Sequence, residues 1–245
     1  MEGPSIYLLA EKLQIFLNQK IVELSGNAKF EKQPLVGQTI QDIFAYGKKL
    51  IIQFEDHALT THFLMYGSYR IDEVRANMPP RLALITKKHS LYFYNCSIKC
   101  FESSNVKKTL PLEFDILSEQ WNAQKVIRAM KAHPKETIDD ILLDQEIFAG
   151  VGNIIKNEVL FLGKVLPTTQ IKKLSAKKIK EIVLHARQFS QKFLELHRVY
   201  QLKKNLQIYR KKYCPICKGL VTRKKTGTLN RWSFYCSRCQ SKGHT

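Results

Sequence analysis

Four cysteines near the end of the chain stand in two pairs, Cys214 with Cys217 and Cys236 with Cys239, each spaced by two residues. A turn of that spacing points both sulfurs at one ion, and two such turns close a tetrahedral, sulfur-only shell around Zn²⁺. That shell has no open position, so the metal is expected to be structural. Two disulfides or a redox dithiol are the competing readings, and no βαβ pattern lies nearby to support the second. The stretch between the pairs, Val221 to Tyr235, is rich in Arg, Lys and Thr and has the length of a two-stranded hairpin carrying Arg231. Cys96 and Cys100 sit four apart in a strand-like region and read as packing residues, because buried free cysteine behaves as a small hydrophobe.

Two further groups offer chemistry. Leu142-Leu143-Asp144-Gln145 followed by Gly150-Val151-Gly152-Asn153 predicts a tight glycine turn into a helix. The exposed N–H groups at that helix start, with the Asn153 side chain, form an expected anion site suited to phosphate. The plainer reading of Asn153 is a helix cap. At the first residue, Met1 carries an α-amine, whose reference pKa of about 7.7–8 leaves a useful fraction unprotonated and nucleophilic at neutral pH. Glu2 beside it supplies a carboxylate within reach of whatever the amine attacks, able to act as general acid or base. A helix opened by Pro4 and Ser5 should lower the amine's value further; a frayed, solvated terminus is the alternative.

Three stretches of different periodicity must position these groups. Ile6, Leu9, Leu13, Phe16 and Leu17 make one apolar helical stripe. From about Lys20 to Phe101 the period shortens towards two, in Leu50-Ile51-Ile52-Gln53-Phe54, Leu82-Ala83-Leu84-Ile85 and Leu91-Tyr92-Phe93-Tyr94. These runs predict antiparallel strands in a sandwich. After Leu110-Pro111 the helical period returns in Ala123 to Ala132, Ile138 to Phe148 and Asn153 to Leu162. Ser175 is the expected cap of a long helix with an apolar face along Ile179, Ile182, Val183, Ala186 and Phe189. The expected fold is α+β and multidomain. It comprises an antiparallel β-sandwich opened by a helix over residues 1–112, a helical domain over 113–200 and a four-cysteine finger over 201–245.

The 245 residues hold 40 Lys+Arg against 21 Asp+Glu, a formal charge of +19, with 44% apolar and 25% charged positions. That composition excludes a disordered chain. The charge is concentrated: from Gln201 to Thr245 there are twelve basic residues, Lys242 among them, and no acidic one. The first 200 residues, with 28 basic and 21 acidic, net only +7. So compact a basic stretch repels itself unless a polyanion neutralises it, which makes nucleic acid the leading partner over a solvated surface or anionic lipid. The tip of the finger hairpin can then enter a DNA groove with Arg231 as a donor. No apolar run reaches the roughly 18 residues of a membrane span, and no basic-then-apolar signal segment opens the chain. A cytosolic protein with thiols or metal ligands, not disulfides, is the expectation.

Five segments occur in a telling order: Met1-Glu2-Gly3-Pro4; Tyr46-Gly47-Lys48-Lys49; His62-Phe63-Leu64-Met65-Tyr66-Gly67; Leu143-Asp144-Gln145 with Gly150-Val151-Gly152-Asn153; and Arg231-Trp232-Ser233-Phe234-Tyr235-Cys236 inside the finger. Over nearly the whole chain they resemble the formamidopyrimidine-DNA glycosylase and endonuclease VIII family. The resemblance implies a catalytic β-sandwich domain, a helix-two-turn-helix DNA-binding domain and a zinc finger. It further implies base-excision repair by a bifunctional DNA glycosylase and abasic-site lyase acting as a monomer on double-stranded DNA with an oxidised base or abasic site, in the bacterial cytosol or nucleoid. The terminal amine would attack C1′ of the lesion nucleotide while Glu2 helps open the sugar and move protons, giving a Schiff base. β-Elimination then cuts the 3′ side and δ-elimination the 5′ side.

Lys48 matches the family's strand lysine, which contacts phosphate and assists catalysis. Asn153 matches the asparagine that grips the phosphate next to the lesion, and Arg231 the finger arginine that grips the flanking phosphate and is linked to the δ step. Leu64, Met65 and Tyr66 match the loop that fills the gap left by a flipped base. Apolar and aromatic side chains suit that role, since extrusion forfeits about a few kcal/mol of stacking. Three adjacent fillers are more similar to endonuclease VIII than to its sister branch and point to oxidised pyrimidines. His62 also matches a recurrent position and is read as a structural histidine.

Two places depart from the family pattern. The family normally opens Met-Pro-Glu, and removal of Met exposes a proline amine; here Glu2 follows Met1 directly. Bacterial removal of Met requires a small second residue, so Met1 is expected to stay and its primary amine to take the proline's place. A changed nucleophile such as Lys48, or a catalytically silent binder of damaged or flexible DNA, are the alternatives. A zinc-ribbon protein of ribosome or transcription machinery is another, but it leaves Glu2, Lys48 and the loop unexplained. Leu112-Glu113-Phe114-Asp115 stands where the family usually has Leu-Gly-Pro-Asp, so the interdomain linker is expected to differ.

Overall fold

The computed structural model describes residues 1–240; Lys242 and the rest of 241–245 lie outside the described residues. The chain forms two compact units, one of Met1 with Ser5–Leu110 and one of Glu2–Pro4 with the chain from Pro111 onward.

The helix α1 (Gly3–Lys12), in the first unit from Ser5 onward, runs into a tight helical turn, Leu13–Phe16. Pro4 lies in its first turn, where a missing N–H costs nothing. Eight strands follow: β1 (Ile21–Ser25), β2 (Asp42–Tyr46), β3 (Lys49–Gln53), β4 (His57–His62), β5 (Ser68–Ile71), β6 (Leu82–Thr86), β7 (Ser90–Tyr94) and β8 (Ser97–Glu102). They pair antiparallel into two four-stranded sheets, β1-β6-β7-β5 and β2-β3-β4-β8. Leu50, Ile52 and Leu59 of one sheet share a buried core with Leu82, Leu84, Leu91 and Phe93 of the other, and Ile6, Leu9, Leu13 and Phe16 close it. The alternating sequence thus folds as the expected sandwich, because inward-facing positions of both sheets need one shared core. Cys96 is buried in that core and Cys100 packs against it, and burial raises both thiols, Cys96 to about 11.

Tyr46 pairs with Lys49, leaving Gly47-Lys48 as a two-residue hairpin turn. Gly47 has φ +54°, which the first position of such turns requires. Lys48 therefore stands on a turn and not within a strand.

In the second unit five helices pack on one core: α2 (Ala123–Lys131), α3 (Ile138–Leu143), α4 (Asn153–Leu162), α5 (Ala176–Arg198) and the short α6 (Leu202–Asn205). Asn122 caps α2 by accepting the Lys125 N–H at 3.0 Å, and Ser175 caps α5 by accepting that of Lys178 at 3.2 Å. The helix expected over Ile138 to Phe148 stops at Leu143 instead. Gln145 explains this: its side chain donates to the Leu143 carbonyl at 2.7 Å and to that of Val151 at 3.1 Å, and its oxygen accepts the Gly150 N–H at 3.2 Å. Those bonds build the turn between α3 and α4. Leu112–Phe114 forms one short helical turn, followed by buried Asp115, whose carboxylate accepts the Leu117 N–H at 2.9 Å.

The finger hairpin, β9 (Thr222–Thr226) with β10 (Arg231–Tyr235), is antiparallel. It packs on α4 through Phe161, Ile208, Phe234, Cys214 and Cys236. Fully buried Glu158 of α4 accepts the N–H groups of Gln207, Ile208 and Tyr209 at 2.8, 2.9 and 2.8 Å, fixing the segment that leads into the finger. No helix among the described residues is long and apolar enough to cross a membrane.

Candidate active-site and nucleic-acid-binding groups

The start of α4 is where the second unit gathers its chemistry. Glu2 lies on it: one carboxylate oxygen accepts the Ile154 N–H at 2.6 Å and the other that of Ile155 at 3.2 Å. The Gly3 N–H donates to the Gly150 carbonyl at 2.8 Å, anchoring the same segment. The expectation of open N–H groups here, ready for phosphate, is thereby corrected. The positive helix end already holds an anion, and it is the protein's own carboxylate. Gly152 makes this possible. A Cβ on it would stand 2.4 Å from Cγ and Cδ of Glu2.

Asn153 turns to the finger, its amide donating to the Trp232 carbonyl at 2.9 Å. One turn on, Asn157 accepts the Phe234 N–H at 2.6 Å. Exposed Arg231 opens β10 directly opposite Thr226. Glu2, Asn153 and Arg231 are thus grouped about α4 and the hairpin strand bound to it.

A buried polar chain underlies them. Lys156 is fully buried, and its ammonium donates to the Ser233 hydroxyl at 2.7 Å. The Thr226 hydroxyl lies 2.5 Å from both Ser233 Oγ and Asp139 Oδ2. Asp139 and Asp140 each accept from the Thr137 hydroxyl, and Asp140 also accepts the Thr228 N–H at 2.7 Å. Burial pushes Lys156 down to about 8, opposed by the charges of Asp139, Asp140 and Glu2. No spacing rule flags this lysine. Its only signal is a cation inside a helix whose neighbours Ile155 and Val159 are core.

The four finger cysteines place their sulfurs within 4.8 Å of one another, with Cys214–Cys239 at 3.8 Å and Cys217–Cys236 at 3.5 Å. Ligands at about 2.3 Å around a tetrahedral ion stand roughly 3.8 Å apart, so the set fits one thiolate-bound metal. The separations exclude disulfides, whose sulfurs are about 2.05 Å apart. The Gly219 N–H draws the Cys217 thiol down to about 7.

In the first unit, β4 ends at His62, opposite Lys49. Burial, then the charges of Lys48, the Met1 amine and Lys49, hold His62 below its ordinary value of 6.5, so the ring is neutral at pH 7. Its Nδ1 accepts the Leu64 N–H at 3.2 Å, which leaves the proton on Nε2. The charges of Met1, Lys48 and Lys49 thus all act on His62, and its bond to the Leu64 N–H holds the start of the loop. Beyond buried Phe63, three residues are presented to solvent: Leu64, Met65 and Tyr66 are 54%, 67% and 79% exposed. They are not core. Leu64 holds φ +49°, and the Gly67 N–H closes the loop on the Phe63 carbonyl at 2.7 Å.

Two family profiles match the chain: the "Formamidopyrimidine-DNA glycosylase N-terminal domain" over residues 9–97 and the "Formamidopyrimidine-DNA glycosylase H2TH domain" over residues 112–200. The chain belongs to the formamidopyrimidine-DNA glycosylase family. Endonuclease 8-like 3 of Mus musculus is 30% identical over 213 residues, covering 84% of this chain and 35% of that protein. This chain therefore spans about a third of the length of that relative. The formamidopyrimidine-DNA glycosylase of Mycoplasma mobile is 28% identical over 253 residues, covering 94% of this chain and 90% of that protein. In fold, this glycosylase-family chain is similar to the Lactococcus lactis formamidopyrimidine-DNA glycosylase non-covalently bound to DNA with an abasic site. The TM-score is 0.87 at 24% identity, over 98% of this chain and all of the other. The β-sheets, the helix-two-turn-helix region and the four-cysteine cluster are those of the formamidopyrimidine-DNA glycosylase fold.

Proposed function

We propose that the chain is a base-excision repair glycosylase that removes oxidised bases from DNA and then cuts the strand at the resulting abasic site. The observation that carries this reading is the Glu2 carboxylate fixed by two backbone N–H donors, with the Met1 amine one residue away in the chain. An unprotonated amine attacks C1′ of the lesion nucleotide and passes one N–H proton to the Glu2 carboxylate as the N-glycosidic bond breaks, and the base leaves with its electron pair and takes a proton from solvent. Glu2 passes a proton to the ring oxygen as the C1′–O4′ bond opens, so a Schiff base joins the Met1 nitrogen to C1′. Loss of a C2′ proton expels the 3′ phosphate, and a second elimination expels the 5′ phosphate.

Lys48, one of the charges acting on His62, contacts backbone phosphate. Asn153 and Arg231 grip phosphates flanking the lesion, and Arg231 assists the last elimination. Leu64, Met65 and Tyr66, all exposed, occupy the space of the extruded base, and the likeness of three adjacent fillers to endonuclease VIII supports an oxidised pyrimidine as substrate. Zn²⁺ on Cys214, Cys217, Cys236 and Cys239 supplies no reaction chemistry; the four thiolates would hold it to brace the hairpin that carries Arg231.

Borohydride trapping on duplex DNA containing an oxidised pyrimidine, with mass mapping of the adduct, tests the proposal. An adduct on the Met1 nitrogen is expected. An adduct on Lys48 overturns the assignment of the nucleophile, and tight binding with no adduct and no strand cleavage overturns the enzymatic reading.

A further inference from the structure

We propose that a groove beside the finger hairpin binds unpaired nucleotides of a DNA strand, with the Trp232–Arg223 pair as its stacking platform. The inference deepens the repair reading, on which it rests for DNA as the polymer.

Strand alternation turns this groove away from Arg231, and of the groups already assigned it holds Asn153 at its edge. Arg231 and Ser233 share one face of β10, and Ser233 is buried on Lys156. Trp232 and Phe234 take the opposite face, and both line a cavity of about 520 Å³. That volume lies within the range of roughly 300–1,000 Å³ typical of small-ligand sites, large enough for a nucleotide. Its other walls are Tyr209, Arg210, Lys211, Lys212 and Arg223, with Asn153 completing the lining. Four cations and no carboxylate face one space.

The aromatic groups decide which nucleic acid fits. Trp232 is 40% exposed, the Arg223 guanidinium lies 4.0 Å from its ring centroid, and the Lys225 ammonium lies 5.5 Å from it. Arg210 stands over Tyr209 at 5.5 Å. Phosphate charge alone calls for lysine and arginine, and an uninterrupted duplex offers nothing more to a surface groove because its base faces are stacked on one another. An exposed indole stacked with a guanidinium adds a π surface, which has a partner only where bases are free. The groove thus combines the two parts of a single-strand site, a cationic track for the backbone and aromatic faces for the bases.

Fluorescence anisotropy with a lesion-free oligonucleotide of about 12 nucleotides, as a single strand and as the matching duplex, tests this at one fixed salt concentration. Trp232→Ala is expected to weaken single-strand binding roughly tenfold or more, the loss of about one stacked base. Its effect on the duplex should stay below about threefold, and Trp232→Phe should keep most of the single-strand affinity. Arg223→Gln should act in the same direction as Trp232→Ala. Equal losses on single strand and duplex, no loss on the single strand, or a Trp232→Phe loss as large as that of Trp232→Ala each overturn the proposal. The oligonucleotides carry no lesion, so an absence of excision leaves this readout intact. Normal excision without strand discrimination sinks only the groove.

Discussion

The carboxylate of Glu2 and the backbone N–H of Ile154 meet at 2.6 Å across 152 residues of chain. Gly152 permits the approach by having no side chain: its φ of −120° and ψ of −165° are open to any residue, but a Cβ would overlap Glu2 at 2.4 Å. Gly152→Ala should therefore displace Glu2 without straining the backbone. Excision is expected to fall by about 10²-fold or more, the scale of one general acid–base group. Single-turnover kinetics beside Glu2→Gln checks this, and an unchanged rate in Gly152→Ala would refute it.

Leu64 pays a backbone cost for its place. A leucine at φ +49° is strained by about 1 kcal/mol or more, which glycine would not be. Leu64→Gly is expected to keep or slightly raise the melting temperature while weakening binding to DNA with an abasic site. Opposite signs in thermal melting and DNA titration are the signature; a fall in both would mean that the loop is built for stability.

The Asp139 charge opposes the cost of burying Lys156, to which it is linked through Thr226 and Ser233. Asp139→Asn leaves a buried ammonium with less opposing charge and should cost about 3 kcal/mol. The unfolded lysine titrates near 10.5 and the folded one near 8, so the unfolded chain holds more protons between these values. Lys156 thus destabilises the fold fully below pH 8, and that penalty is relieved as pH rises towards 10.5. Lys156→Met should flatten this rise in a series of denaturant melts.

Acid should act through histidine in the opposite range. Burial is the first cause holding His185 and His197 below 6.5, with Lys178 lowering His185 further and Glu181 opposing it. Between the folded value and 6.5 the unfolded chain binds more protons, so stability is intact above about pH 6.5 and is lost as pH falls below it. The double variant His185→Asn, His197→Asn should lose less of its melting temperature between pH 7 and 5.5 than the parent; an equal loss would contradict the assignment.

Metal removal has a defined target. Cys214 and Cys236 belong to the same apolar cluster as Phe161, Ile208 and Phe234. A thiol-reactive reagent should release one zinc per chain, and Cys236→Ser should release none. The demetallated chain should melt earlier, by about 2–4 °C for each kcal/mol lost, and bind DNA less tightly.

Much of this was legible in one dimension because the signals are local. The two-residue spacing in each cysteine pair, the period-two runs that became β3, β6 and β7, and the Ser175 cap each depend on neighbours within a few residues. Local reading erred where a distant or turn-building partner intervened. The helix after Ile138 ended early because Gln145 bonds back to Leu143 and across to Gly150 and Val151.

By itself the sequence determined the order of the elements, the metal-ligand set, the basic finger and the candidate nucleophile with its adjacent acid. Tertiary structure alone decided that the α4 start holds Glu2, that Lys156 is sealed beneath Arg231's strand, and that Trp232 faces an open basic groove. Periodicity records which face a residue takes, whereas the group that face meets depends on contacts closed across 77 to 152 residues of chain, and no local pattern encodes them.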